Sequence, residues 1–358
     1  MTAQGTGERE RDRGGVVHRG RSHAIIGARM AHEFEAVSMS WRVARVMREP
    51  GWSGEVLAAH PRSCYVLDED GTVYVVVQQP LGNGPFSIVI PAGPASMFQD
   101  LAAGTPVTGD GARLNLGDAV RIGLGAGTLW DPKAYPGLAA DDLVLSGGLA
   151  AVYHAAVDAA SPASLARLLP YLGEEDLPEN MHDVAHFPRS HALIAGLVDG
   201  LAQRNRRRLK VVTASLAGLG PGLTPSGDDF LAGVLLALAL AQERRPDAAL
   251  REIAEQVVET AAPRTHEISA AYLRAAHAGE VAERWQPLLT ALGGSDTEAA
   301  ATAARAVTQV GETSGADMLA GFLGALSAIY RFPPLAEAAL PNMDARPSSP
   351  PAADSARA

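Results

Sequence analysis

Cysteine is almost missing from this 358-residue chain: Cys64 stands alone. That excludes an internal disulfide and a thiolate metal cluster. Cys64 sits in the strand-like run Ser-Cys-Tyr-Val-Leu, so it reads as a buried strand residue rather than a nucleophile. Aromatic residues make up only 5% of the chain and the formal net charge is −10. With few rings to stack on bases and no positive excess, nucleic acid is not expected as a partner. Long apolar runs are missing too. The two most apolar segments each run for about a dozen residues, whereas a bilayer span needs ~20, so no membrane partner is expected. Residues 1–24 carry no apolar stretch, and Glu8, Glu10 and Asp12 interrupt their arginines. They read as a disordered extension, neither secretory signal nor transit peptide. A cytoplasmic protein is the expectation.

What the chain does have is glycine in a pattern. Residues 218–233 read Gly-Leu-Gly-Pro-Gly-Leu-Thr-Pro-Ser-Gly-Asp-Asp-Phe-Leu-Ala-Gly and lead into an apolar segment ending at Ala241. A side-chain-poor loop thus feeds a buried helix, with Pro225 blocking an earlier start and Ser226 as the expected N-cap. First-turn N–H groups lack intrahelical partners, and glycines let a ligand approach them. The pattern predicts a site for an anionic or polar group, made by Gly218, Gly220, Gly222, Thr224, Ser226 and Gly227. No Gly-Lys-Ser/Thr ending follows, so this is not a P-loop. Asp228 and Asp229 either suit the helix dipole or face the ligand. Facing it, they would accept from a carbamoyl or ureido N–H, or hold a bridging Mg²⁺.

The pattern returns at a constant offset of 88 residues. Ser226-Gly227, Asp229, Leu231-Ala232-Gly233 and Ala237-Leu238 match Ser314-Gly315, Asp317, Leu319-Ala320-Gly321 and Ala325-Leu326. Two equivalent buried helices are expected, packed closely through Gly233/Ala237 and Gly321/Ala325. Substrate is then expected where the loop meets Thr313, Ser314 and Gly315, with Asp229 or Asp317 as the shared acid.

Elsewhere the signals divide the chain in two. Short runs between Gly51 and Pro132 alternate or flank turn residues, as Cys64–Leu67 and Val73–Gln78 flank Asp68-Glu-Asp-Gly71. They suggest a small antiparallel barrel or sandwich. Asn83-Gly84-Pro85 reads as a turn, or as a loop in which Asn83 touches substrate. Helical patterns follow from Leu138. The expected organisation is α+β: a disordered 1–24, a β-rich domain over 25–135, an α-helical domain over 136–332 with two repeated glycine-motif helices, and a disordered proline-rich 333–358. Ser190 to Arg206 reads as one helix, closed by the basic run 204–210, whose charges suit a helix C-terminus or raise the potential near the glycine loop. His182 and His186 are spaced for a metal on a helix, but Pro178 and Pro188 bracket them and a solvated pair is expected. Thr265 can cap a helix with His266 in its first turn, where the imidazole is either a neutral donor or a surface group.

The 218–233 motif closely resembles the signature of the AllH-type subunit family of oxamate carbamoyltransferase, formerly a domain of unknown function. The order of a β-rich half, an Asn-Gly-Pro loop at 83–85 and a helical half is similar as well, over roughly residues 30–330. The resemblance implies conversion of oxalurate and phosphate to oxamate and carbamoyl phosphate in allantoin breakdown, together with other subunits. It brings no catalytic residue with it. The residues themselves nominate Asp228, Asp229, Asp317 and His266 for chemistry. They call for no resident cofactor, Mg²⁺ remaining an option. Three readings stay open: a carbamoyltransferase subunit, a non-catalytic ligand-binding or scaffold subunit, and a Mg²⁺-dependent hydrolase.

Overall fold

A computed structural model describes residues 31–332 except 95, 175 and 182–186. The expected extension, the expected tail and the His182/His186 pair lie outside the described residues.

Among the described residues ten strands form one sheet: β1 (His32–Glu35), β2 (Ser38–Ser40), β3 (Trp52–His60), β4 (Ser63–Asp68), β5 (Val73–Gln78), β6 (Ser87–Ile90), β7 (Pro106–Gly109), β8 (Arg113–Leu116), β9 (Val120–Gly123) and β10 (Thr128–Trp130). Their order is β1-β9-β8-β7-β3-β4-β5-β6-β2-β10, and the sheet curls into a half-barrel. The hairpin at Asp68 forms for a local reason. Asp68 Oδ1 accepts from the N–H groups of Asp70 and Thr72, while Gly71 takes φ +76°, a conformation glycine adopts without steric cost. Strands β4 and β5 then pair antiparallel, with Cys64 opposite Val76. Three pairs are parallel instead, β1–β9, β5–β6 and β2–β10, a departure from the antiparallel expectation.

Period-two burial in β7, β8 and β9 places Val107, Leu114, Leu116, Val120 and Ile122 in the concave core. Strand β5 is buried at all six positions, because both of its faces are covered. Tyr74 and Val76 join that core, whereas Val75 and Val77 pack with Val89, Tyr65 and Phe86 on the opposite face. On that second face Phe86 packs against Tyr272 of the helical half.

The helices are α1 (Trp41–Met47), α2 (Asp142–Ala159), α3 (Phe187–Ala202), α4 (Arg206–Leu216), α5 (Ser226–Arg244), α6 (Ala248–Ala261), α7 (Glu267–His277), α8 (Gln286–Leu292), α9 (Thr297–Thr308) and α10 (Ser314–Tyr330). Asp141, Asn205, Asp247 and Asp296 cap α2, α4, α6 and α9 through their side chains, each satisfying first-turn N–H groups. Helices α5 and α10 are apolar on nearly every side and form the centre of the helical half. A Cβ on Gly233 would collide with the Met318 carbonyl, and one on Gly321 with the Phe230 carbonyl. Residues 230 and 318 are equivalent in the repeat, so the two contacts exchange under a pseudo-twofold relation.

The single helix expected over 190–206 is two. Arg204 adopts φ +53° and Asn205 starts α4. The basic run therefore opens a helix instead of closing one, against the dipole preference. Carboxylates from neighbouring helices offset this: Arg204 pairs with Asp247, Arg206 with Glu252 and Arg208 with Asp199. The run also lies at the end of α4 remote from the glycine loop. Ten residues of helix span ~15 Å, so Arg206 at the start of α4 lies beyond a Debye length of ~8 Å from the loop.

Candidate active site

The starts of α5 and α10 lie side by side, and the helices run parallel. Thr224 Oγ1 sits 3.2 Å from Ser314 Oγ. The Ser314 hydroxyl lies beside Asp229, and the Ser226 hydroxyl beside Asp317. Each helix thus presents its serine to the other helix's aspartate. The two positive dipole ends add at this point.

The helix starts are less open than their glycine content suggests. Gly227 N–H donates to Leu219 O, and Gly315 N–H to Val310 O. The approach segments fold back and occupy donors that a ligand would have used. Glycine is required here, because a Cβ on Gly227 would strike the Leu216 carbonyl and one on Gly315 the Val307 carbonyl. Pro225, not Ser226, occupies the N-cap position of α5, and no side chain caps it. This frees the Ser226 hydroxyl to face Asp317. Thr313 takes the equivalent place before α10, with its hydroxyl also beside Asp317. In the loop, Gly218, Gly220 and Gly222 all have positive φ, and Gly222 is exposed.

The three aspartates differ sharply. Asp228 Oδ1 accepts from Gly218 N–H at 2.9 Å, and its Oδ2 accepts from the Thr265 hydroxyl. Both oxygens hold the loop and the start of α7 in place. Asp317 is fully buried, and its Oδ1 accepts from Ser164 Oγ at 2.7 Å and Leu165 N at 2.6 Å. It anchors the 3₁₀ turn over Leu165–Tyr171. Burial raises its pKa, against the hydroxyls of Ser164 and Ser226 that favour the anion.

Asp229 is half-buried, and its Oδ2 is sequestered with no hydrogen-bond partner among the described residues. Burial pushes its pKa well above the usual carboxylate range. The Ser314 hydroxyl opposes the rise, while the charges of Asp317 and Asp228 add to it. Tyr65 on β4 and Tyr272 on α7 also feel the Asp229 charge, and their hydroxyls are hydrogen-bonded to each other. Both phenols are shifted upward, chiefly by burial. The Phe86 ring lies 4.7 Å from that of Tyr272, centroid to centroid. The sheet therefore contributes to the surroundings of Asp229.

Two other sequence candidates lie apart. His266 stands at the exposed N-cap of α7, the position expected for Thr265. Its ring has no hydrogen-bond or ion-pair partner among the described residues. Asn83 joins the two halves: its N–H and Nδ2 donate to Glu283 Oε2 at 2.8 and 2.9 Å, and its Oδ1 accepts from Ser38. It lines a cleft of about 630 Å³ with Leu129, Trp130 and Arg284, and no described contact links it to the glycine motifs. Asp228, Asp229 and Asp317 do not form a metal-ligating group, nor is any group of three or more His, Cys, Asp or Glu so placed among the described residues. No helix among them is long and apolar enough to cross a membrane.

A sequence model described as the oxamate carbamoyltransferase subunit AllH matches residues 216–326, and one for the AllH family N-terminal domain matches 35–128. The chain belongs to the AllH family. No curated protein and no solved structure matches it. The AllH match opens at Leu216, whose carbonyl rests against Gly227, and takes in both repeats through Leu326. The AllH N-terminal match covers the half-barrel from the last residue of β1 to the first of β10. The family's description as a subunit of that enzyme implies further subunits as partners. Sequence reasoning passed over Tyr65, Tyr272 and Ser164. Their neighbours come from distant parts of the chain, and no local motif marks them.

Proposed function

We propose that this AllH-family chain forms the substrate site of an oxamate carbamoyltransferase at the paired starts of α5 and α10. The reaction is conversion of oxalurate and phosphate to oxamate and carbamoyl phosphate, in the cytoplasm and in allantoin-derived nitrogen catabolism. Oxalurate and carbamoyl phosphate each combine an anionic end with an amide nitrogen. The summed dipoles and the hydroxyls of Thr224 and Ser314 suit the anion. Asp229 suits the nitrogen: among the described residues the Oδ2 atoms of Asp229 and Asp317 are both buried without a partner, but Asp317 is fully enclosed with its Oδ1 tied to Ser164 and Leu165, whereas Asp229 is only half-buried. That observation carries the proposal, since a buried polar atom left unpaired is costly and calls for a role.

Catalysis at such a site rests on positioning and on fixed dipoles stabilising charge at the carbamoyl carbonyl. No covalent nucleophile is needed. One observation favours the scaffold reading instead: Gly227 and Gly315 already spend their N–H groups on the chain. Thermal shifts with phosphate, oxamate and carbamoyl phosphate separate the two, because a ligand that binds only the native state raises its melting temperature. A rise that Ser314→Ala and Thr224→Val together remove supports the site. No rise with any of the three, in the isolated chain or in the assembly with its partner subunits, contradicts it.

A further inference from the structure

Resting on the reaction just proposed, we infer that Asp229 is its proton carrier: the carboxyl that takes the proton of the attacking hydrogen phosphate and delivers it to the nitrogen leaving as oxamate. The chemistry demands such a group. A phosphate oxygen forms a bond to the ureido carbonyl carbon of oxalurate. The bond from that carbon to the inner nitrogen breaks, and its electron pair stays on nitrogen. That nitrogen already carries one hydrogen and needs a second to leave as the amide of oxamate. Hydrogen phosphate must lose one proton to become the carbamoyl phosphate dianion. One proton therefore moves from oxygen to nitrogen, with no net uptake or release, and no oxidant, reductant or further reactant is needed.

The geometry singles out the carrier by what the other groups already do. Both oxygens of Asp228 are engaged, by Gly218 N–H and by the Thr265 hydroxyl. Asp317 also has an unpartnered Oδ2 among the described residues, but it is fully enclosed and its Oδ1 is tied to Ser164 and Leu165, whereas Asp229 is only half-buried. Tyr65 and Tyr272 are bonded to each other and keep their protons at neutral pH, since burial pushes both phenols upward. His266 is exposed at the α7 N-cap. Asp229 retains an unpartnered buried oxygen, at the junction where the Thr224 and Ser314 hydroxyls meet.

The repeat supplies an internal control. Asp317 is the same residue at the same position of an equivalent helix, yet the 3₁₀ turn over 165–171 has filled its Oδ1. On the Asp229 side the β4–α7 tyrosine pair stands. The duplication has thus left one aspartate fully enclosed against the 165–171 turn and the other only half-buried. The titratable groups facing Asp229 are Asp228 on α5, Asp317 on α10, Tyr272 on α7 and Tyr65 on β4. Burial and the neighbouring carboxylates raise the proton affinity of Asp229, which favours taking a proton from the attacking phosphate. A positioned proton carrier typically contributes ~10²–10⁴-fold to a rate.

The test is the Asp229→Asn variant assembled with its partner subunits. Turnover is followed against pH, and oxamate binding by thermal shift. The expected result is retained folding and oxamate binding with turnover down ~10²–10⁴-fold. The pH limb that wild type shows through Asp229 should be gone from the residual rate, and Asp229→Glu should restore part of both. Turnover within tenfold of wild type, or an unchanged pH limb, overturns the inference. A turnover loss fully matched by the loss of oxamate affinity also overturns it, since Asp229 would then only hold the ligand. If Asp229→Asn does not fold, Asp229→Ser carries the same comparison. Failure of the site itself is separately visible: oxamate shifts would then survive Ser314→Ala with Thr224→Val while Asp229 is intact.

Discussion

Asp229 and Asp317 are equivalent by an 88-residue repeat, and the Oδ2 of each is buried without a partner among the described residues, yet Asp317 is fully enclosed with its Oδ1 on Ser164 and Leu165 while Asp229 is only half-buried. The pseudo-twofold relation makes their serines reciprocal, Ser314 beside Asp229 and Ser226 beside Asp317. The surroundings then break the symmetry. A fold that duplicates a helix start can give one copy to scaffold and leave the other for chemistry.

Close helix contact is the first consequence to check. Gly233 and Gly321 each face the other helix's backbone with no room for a Cβ. Gly233→Leu should destabilise by ~1–3 kcal/mol or more through overpacking, and Gly321→Ala should also destabilise. Urea unfolding of both variants measures this. Wild-type midpoints would contradict the packing.

Asp228 is predicted to act as a tether. Asp228→Ala leaves the Gly218 N–H and the Thr265 hydroxyl without their acceptor, a loss of ~0.5–1.5 kcal/mol for each hydrogen bond. Hydrogen exchange should show the amides of 218–224 opening faster in the variant. Unchanged exchange and unchanged stability would show that the loop is held by other contacts.

The stability of the fold should fall as pH rises from about 4, the ordinary Asp value. Asp229 and Asp317 both have raised folded-state pKa values. Between its unfolded and folded pKa such a group binds more protons in the native state, so its contribution is fully present below pH ~4 and is lost as pH rises through the folded pKa. Asp229→Asn should therefore melt higher than wild type at neutral pH, with the gap closing on acidification toward pH 4. A gap that widens toward acid would reverse the sign and refute the burial argument.

Cys64 should be inert. It is fully buried in β4, and burial pushes its thiol up to about 12, far from the thiolate that reacts. A thiol reagent should label it only in denaturant. Rapid labelling of the native chain would contradict the strand assignment.

Much of this was readable beforehand where the cause is local. The Asp68–Gly71 hairpin, the Asp247 cap and the Ser-Gly-x-Asp repeat each declare themselves within a few residues. The break between α3 and α4 was missed because Arg204 takes a left-handed conformation unusual for a side-chain-bearing residue; Asn205 was the available cap signal. The short strands β1, β2 and β10 pair across the chain in parallel, so no neighbouring turn announces them. At the site, glycines forecast open N–H groups, but Leu219 and Val310 carbonyls fill two of them. The Tyr65–Tyr272 pair joins β4 to α7 and exists only once the two halves meet.

The most direct test of the central claim is carbamoyl phosphate formation from oxalurate and phosphate by the assembly carrying Ser314→Ala and Thr224→Val. These hydroxyls lie 3.2 Å apart at the paired helix starts. Removing polar groups of this kind from a reacting centre typically costs ~10²–10³-fold in rate. The account predicts a loss of that size with melting temperature and subunit assembly preserved. A rate equal to wild type would place the reaction elsewhere and leave the paired motifs as packing alone.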